Sequence, residues 1–220
     1  MTRRRVVETD SGITGELTVQ TYDQMQRRLR DRGWIETDEI IESGIDCGRA
    51  LEIGPGPGYL GLEWLKATSE TQLVALDISA DMIELARGNA SEYGLERRVE
   101  YVLGRGDRLP FPDASFDAVF TNGSLHEWSN PRGTFDEIWR VLRPGGRYFV
   151  SDLRRDMMAP FRWFLWLATK PAAIRPGLIS SINAAYTPGE VRGLARTSRL
   201  SGARVSGGLI GVTLSGVKAA

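Results

Sequence analysis

The chain has 220 residues, with 28 acidic and 28 basic side chains that cancel, so no global field draws it towards nucleic acid or an anionic surface. Apolar residues make up 41% and charged residues 25%, as in an ordinary globular protein, and the length suits one domain with a substantial core. A lone cysteine, Cys47, excludes an internal disulfide framework and suits a reducing compartment.

The chain opens Met1-Thr-Arg-Arg-Arg5 and continues Val-Val-Glu-Thr-Asp10 rather than into an apolar run, so no signal peptide is expected. Residues 14 to 46 read as helical and precede the first strand. Arg49–Ile53 reads as a buried strand, followed by the glycine turn 54–58 and a helix over Tyr59–Lys66. Gln72–Asp77 is a second strand. Ser79 caps a helix running to about Tyr93, with Asp81 in its first turn and Gly94 just past its end. Val99–Leu103 and Phe116–Thr121 are strands three and four. Asn130-Pro131 marks a helix start, cap followed by proline, and that helix ends before Pro144-Gly-Gly146. Arg147–Ser151 is strand five. Thr187-Pro-Gly-Glu190 has capping-box spacing and opens the last helix. Ala203–Val205 and Leu209–Leu214, around a Ser-Gly-Gly turn, read as a closing hairpin. Strands alternating with helices predict an α/β fold with a mostly parallel sheet covered on both faces.

The stretch Glu52-Ile-Gly-Pro-Gly-Pro-Gly58, answered by Asp77 at the end of strand two, is how such a sheet holds an adenosine-containing cofactor. Glycines let the backbone turn sharply and come close to the ligand, and the acid accepts hydrogen bonds from ribose hydroxyls. A dinucleotide fingerprint would put its third glycine at position 59, which is Tyr; here the glycines are Gly54, Gly56 and Gly58. The pattern E-x-G-x-G-x-G resembles motif I of the class I S-adenosylmethionine (SAM) dependent methyltransferases. Three further segments resemble that family in its own order: Leu73-Val-Ala-Leu-Asp77, Gly106-Asp107 through Phe116-Asp117, and Glu137 through Pro144-Gly-Gly146. Together they span Arg49 to Asp152, of the small-molecule type with methyltransferase-11-like motifs.

The resemblance implies a Rossmann-like, mostly parallel seven-stranded sheet closed by a C-terminal antiparallel hairpin, with SAM as cofactor. It divides the chain into an N-terminal helical cap (1–46), a cofactor-binding core (47–152), a variable acceptor segment (153–186) and the last helix and hairpin (187–220). It assigns Gly54, Gly56 and Gly58 to close approach and Asp77 to the ribose. Asp107 takes the adenine amino group, with Ile78 and Leu109 as apolar walls, and Asn122 is grouped with the cofactor residues. Glu52 either orients the loop or the methionine amino group, or is structural. Tyr22 either folds over the cofactor or packs in the core.

His126, the only histidine, follows strand four in a Leu-His segment that the family places near the transferred methyl, and Asp152 stands after strand five where some members keep an acid partner. Two readings stand: His126 as general base, oriented by Asp152, or a residue that merely lines the pocket. Arg154 and Arg155 are candidates for an anionic acceptor, or are simply solvated. No His/Cys cluster suggests a metal. Met157–Leu167 is aromatic-rich and far too short to span a bilayer. It reads as an acceptor lid, as an interfacial helix with Trp163 and Trp166 at a membrane, or as a helix packed on the core or a second subunit. The resulting expectation is a cytoplasmic methyltransferase acting on a small or apolar molecule, with no nucleic-acid partner. The competing expectation is a SAM-binding sensor or partner protein without turnover.

Overall fold

The computed structural model describes residues 4–8 and 15–219. Five strands run parallel: β1 (Arg49–Ile53), β2 (Gln72–Asp77), β3 (Val99–Leu103), β4 (Phe116–Asn122) and β5 (Leu142–Leu153). β6 (Arg204–Gly207) and β7 (Gly211–Val217) add an antiparallel pair, with β7 against β5, and the sheet order is β3-β2-β1-β4-β5-β7-β6. From β1 the chain moves outward to β2 and β3, then returns to the other side of β1 as β4. The carboxyl ends of β1 and β4 therefore flank the switch point, where an open α/β sheet leaves its crevice.

Among the described residues eight helices surround the sheet: α1 (Glu16–Asp31), α2 (Thr37–Glu42), α3 (Tyr59–Ala67), α4 (Ala80–Glu92), α5 (Pro131–Val141), α6 (Ala159–Ala168), α7 (Arg175–Ala184) and α8 (Pro188–Arg196). Alternation along the strands divides the core. Leu51, Ile53, Val74 and Val119 pack with Phe135 and Ile138 of α5 and Val191 of α8. Ala50, Leu73, Ala118 and Phe120 go to a second cluster, with Trp64 of α3 and Ile40 of α2. With both faces covered, the strands read as near-continuous apolar runs. Trp64 is fully buried, and its indole N–H donates to the Ile45 carbonyl at 2.7 Å, satisfying the one polar atom it brings inside.

The expected helix starts hold. Ser79 accepts from Met82 N, Asn130 from Gly133 N, and Thr187 and Glu190 form a reciprocal capping box. Thr187→Ala removes one half of that box and is expected to cost about 1 kcal/mol, read as a lower urea midpoint with an unchanged denaturation slope.

Three boundaries differ from the expectation. Pro144-Gly-Gly146 does not break the chain between α5 and the sheet: β5 begins at Leu142, paired with Phe116, and the register resumes at Arg147 opposite Ala118. Gly145, at φ +81°, supplies the left-handed residue this irregularity needs, and its N–H donates to Lys218 O. In the hairpin, Ser206 and Gly207 pair with Thr213 and Val212 instead of forming the turn, which lies beyond them, closed by Gly208 N donating to Gly211 O. The helical region before β1 is two helices, separated where Gly33 adopts φ +65°.

Candidate active site

The loop from β1 into α3 is shaped by backbone demands that only glycine meets cheaply. Gly54, Gly56 and Gly58 have φ of +70°, +52° and +86°. Gly54 N donates to Leu76 O at 2.8 Å, and a side chain at 54 would press against Ser124. Asp77 ties the loop down: its Oδ2 accepts from Gly56 N at 3.0 Å and its Oδ1 from Ser79 N at 2.9 Å. Burial raises the pKa of this carboxyl, against the backbone N–H groups that favour its charged form.

This loop is the floor of an open cleft. Glu52, Gly54, Gly56, Asp77, Ile78, Asp107 and Asn122 all line it, and so does Tyr22 from α1. Gly58 is not among the lining residues. It turns the chain into α3, where a Cβ would meet Tyr101 Oη and Ala86. Leu109 is not a cleft wall either; it is 4% exposed in the main core, and its N–H donates to Glu137. Asp107 accepts from Arg105 Nε at 3.1 Å, and Arg105 also donates to Ser129, which braces that end of the cleft.

Glu52 is 2% exposed, and its Oε2 has no hydrogen-bond partner among the described residues. Burial pushes its pKa up to about 8, the Asp77 charge adding to the effect and the Gly61 N–H opposing it. A glycine loop open to close approach, a carboxylate at the end of β2 and a buried carboxyl with one oxygen lacking a hydrogen bond beside them fit a ligand carrying a ribose and an ammonium group.

His126 lies in a single 3-10 turn, Leu125–Glu127, directly after β4. Because β5 is the next strand, its Asp152 comes alongside. The Asp152 carboxylate accepts from His126 N at 2.7 Å and lies 2.9 Å from Nδ1 through both oxygens. The two residues are 4% and 5% exposed. This grip orients the ring and directs Nε2 at Glu8 Oε2, 3.4 Å away, and Glu127 Oε1, 3.9 Å away. Burial alone would lower the imidazole pKa, but Asp152, Glu127 and Glu8 overcome it and raise it to about 9. Glu127 is itself pushed up to about 7 by burial, His126 opposing and the neighbouring carboxylates reinforcing. Glu127 lines the cleft whereas His126 does not, so the imidazole sits behind the glutamate.

Glu8 arrives on a strap, residues 4–8, that is firmly tied. Arg5 donates to Ala184 O and His126 O and stacks 4.1 Å above the Tyr186 ring, while Val6 N donates to Asn183 O. Nothing in the sequence singled out Glu8 or Glu127; their role emerges only from where the chain crosses itself. Arg154 is paired with Asp156, and Arg155 with Glu190 and Ala185 O, so neither guanidinium is simply solvated.

α6 contributes no buried residue. Trp163, Phe164 and Met158 are 65%, 52% and 61% exposed, and Phe164 meets the exposed Trp34 at 6.2 Å between ring centroids.

His126, Glu127 and Glu52 all bind protons more tightly folded than unfolded. Their stabilisation is complete at pH below their ordinary values and is lost as the pH rises through the folded ones, about 9, 7 and 8. The melting temperature of the ligand-free protein is therefore expected to fall steadily from about pH 6 to about pH 9. A scanning-calorimetry series showing a rise over that window would contradict the assignment.

Residues 51–150 match the profile of the family described as methyltransferase domain. A demethylmenaquinone methyltransferase of Deinococcus radiodurans is 30% identical over 186 residues, covering 82% of this chain and 76% of that protein. The ubiquinone/menaquinone biosynthesis C-methyltransferase UbiE of Serratia proteamaculans is 31% identical over 120 residues, 54% of this chain and 48% of that protein, so the chain spans about half of that relative. Among solved structures, a protein of Methanococcus maripaludis described as an S-adenosyl-L-methionine-dependent methyltransferase superposes with a TM-score of 0.75 at 22% identity, covering 95% of this chain and 98% of that one. A SAM dependent methyltransferase of Aquifex aeolicus gives a TM-score of 0.64 at 20% identity, covering 83% and 89%. At these identities the structural likeness is one of fold.

Proposed function

The chain belongs to the family of SAM-dependent methyltransferases, and from that premise we propose that it methylates a small, apolar, quinone-like acceptor whose proton is taken by His126. The observation that carries the base assignment is the Asp152–His126 pair, which holds a buried imidazole with one ring nitrogen directed at the cleft-lining Glu127. The names of the quinone-methylating relatives support the acceptor class and do not favour a non-catalytic sensor.

SAM supplies, when bound, an electrophilic methyl on a sulfonium. The protein's part is placement and proton removal. Asp77 accepts from the ribose hydroxyls, Asp107 from the adenine amino group with Ile78 beside it, and Glu52 holds the ammonium end; Gly54 and Gly56 allow the close approach, and Asn122 lines the floor. The acceptor's hydroxyl takes the place opposite Nε2 that Glu8 occupies here. His126 removes its proton, which raises the nucleophilicity of that oxygen and of the adjacent ring carbon, and Asp152 stabilises the resulting imidazolium. Residues 153–186 form the acceptor side of the site.

α6 serves as the docking face for the membrane in which an apolar acceptor dissolves. Its aromatic side chains are exposed, and from Met157 to Gly189 the chain carries Arg162, Lys170 and Arg175 but no acid. An aromatic face rimmed by cations suits the headgroup level of an anionic bilayer. No described helix is long and apolar enough to cross a membrane. Cys47 is exposed and unpaired, which fits a cytoplasmic setting.

The test is transfer of labelled methyl from SAM to a prenylated naphthoquinol held in phosphatidylglycerol vesicles. Label in the quinol is the expected result; SAM binding with no label transferred would overturn the acceptor class. Trp163→Glu is expected to weaken flotation with these vesicles about tenfold, since it places a charge in the apolar contact. Unchanged flotation would remove α6 as the membrane contact.

A further inference from the structure

We propose that Glu8, His126 and Glu127 form a binding site for a divalent cation of the zinc class, and that an ion bound there competes with the acceptor. The second half rests on the reading of His126 as the acceptor's base; the first does not.

The three side chains bring one ligand atom each to within 4.8 Å of one another. Nε2 lies 3.4 Å from Glu8 Oε2 and 3.9 Å from Glu127 Oε1. Two donors each about 2.1 Å from one zinc ion stand about 3.4 Å apart at the tetrahedral angle. The His126–Glu8 spacing therefore suits an ion as it stands, the His126–Glu127 spacing exceeds that value by about half an ångström, and all three ligand atoms lie within 4.8 Å of one another. The His126 side chain is 5% exposed, and Nε2, despite the nearby carboxylates, makes no hydrogen bond to any described residue. A buried polar atom without a hydrogen bond calls for an explanation, and an ion between it and two carboxylates provides one.

The ring is also held as a metal-bound histidine is held. Nδ1 faces the Asp152 carboxylate at 2.9 Å, an arrangement that directs Nε2 towards the two glutamates and makes that nitrogen a better metal donor once an incoming ion has displaced its proton. Imidazole with two carboxylates selects zinc and its neighbours over calcium or magnesium, which favour all-oxygen sites, and three protein ligands leave a coordination position open. An ion can reach the site, since the Glu8 and Glu127 side chains are 23% and 34% exposed and Glu127 lines the cleft. Occupation of the site ties up the lone pair that the acceptor's proton needs, so the ion and the acceptor exclude each other. The site joins a residue of the N-terminal strap to a turn after β4, and for that reason no ligand spacing is visible along the chain.

His126 being the only histidine, its ring protons report on the site without assignment. Zinc chloride is titrated into the full chain, followed by proton NMR of that ring and by calorimetry. One ion per chain is expected, with the ring resonances moving in step with the heat. Asp152→Asn is expected to weaken binding about 10–100-fold, as loss of an outer partner does in metal sites, and Glu8→Gln at least as much. In each variant the dispersed ring resonance shows that the fold persists. No heat and no ring shift at millimolar zinc, or binding unaltered in Glu8→Gln, would overturn the site. In the quinol assay, zinc is expected to raise the acceptor KM at unchanged kcat, reversed by chelator. Zinc that moves the ring resonances yet leaves turnover untouched would sustain the site and overturn the base role of His126. Absence of binding, with turnover still lost in His126→Ala, would do the opposite.

Discussion

His126→Ala is expected to lower the rate of methyl transfer by about 10²–10⁴-fold, the range for loss of a positioned base, while leaving the SAM dissociation constant within about threefold. The separation follows from geometry. The cofactor loop is held by Asp77 and Leu76 O, on the β1–β2 side of the switch point, whereas His126 is held by Asp152 on the β4–β5 side. Single-turnover transfer and calorimetric SAM titration read the two quantities independently. Equal transfer by wild type and variant would leave alignment of the reactants as the sole source of catalysis.

The same pair sets the pH dependence. With its pKa raised to about 9, His126 is mostly protonated at neutral pH and cannot accept a proton until it has lost one. With chelator present, kcat/KM is expected to rise about tenfold per pH unit up to about pH 9 and then level off. Asp152→Asn removes the charge that holds the proton on the ring, so the rise moves to lower pH while the plateau falls. A residue that served only to fill space would alter the height of the profile and not its position.

Asp77→Ala is expected to weaken SAM binding by about 100-fold or more, as two charge-assisted hydrogen bonds at about 1.5–3 kcal/mol each imply. The carboxylate accepts from Gly56 N and Ser79 N, fixing the loop and the start of α4, and it lines the cleft, where the proposed function has it accept from the ribose. Asp77→Asn keeps the size and part of the hydrogen bonding, and is expected to fall between the two. Calorimetric titration with SAM, and with its demethylated product as a control for the methyl group, separates loss of the pocket from loss of methyl recognition. Affinity unchanged in Asp77→Ala would show that the ribose is held elsewhere.

The fold and the glycine turn after β1 were legible because their determinants are local. Glycines at 54, 56 and 58 state backbone angles directly, Asn130-Pro131 and Thr187…Glu190 spell their caps within four residues, and strands buried on both faces announce themselves as apolar runs. Boundaries were less legible where a glycine has two uses. Gly145 and Gly146 read as a break, yet pairing of Leu142 with Phe116 absorbs them into a strand irregularity. Gly58 read as a cofactor contact, yet it serves the packing of Tyr101 and Ala86. Leu109 read as a cleft wall because it neighbours Asp107, but the turn sends it into the core.

The α/β sheet and the glycine loop follow from periodicity and from spacing over a few residues, and the resemblance of four ordered segments pointed to the SAM-dependent methyltransferases. The surroundings of His126 come from long-range packing. Asp152 reaches it because β5 lies beside β4, Glu8 because a strap anchored by Arg5 crosses the end of α7, and Glu127 because a single turn follows the strand. Glu8 and His126 are 118 positions apart in the chain and 3.4 Å apart in space. No local propensity encodes such a meeting; it is a product of how strand order and chain crossings bring remote segments together around one buried ring.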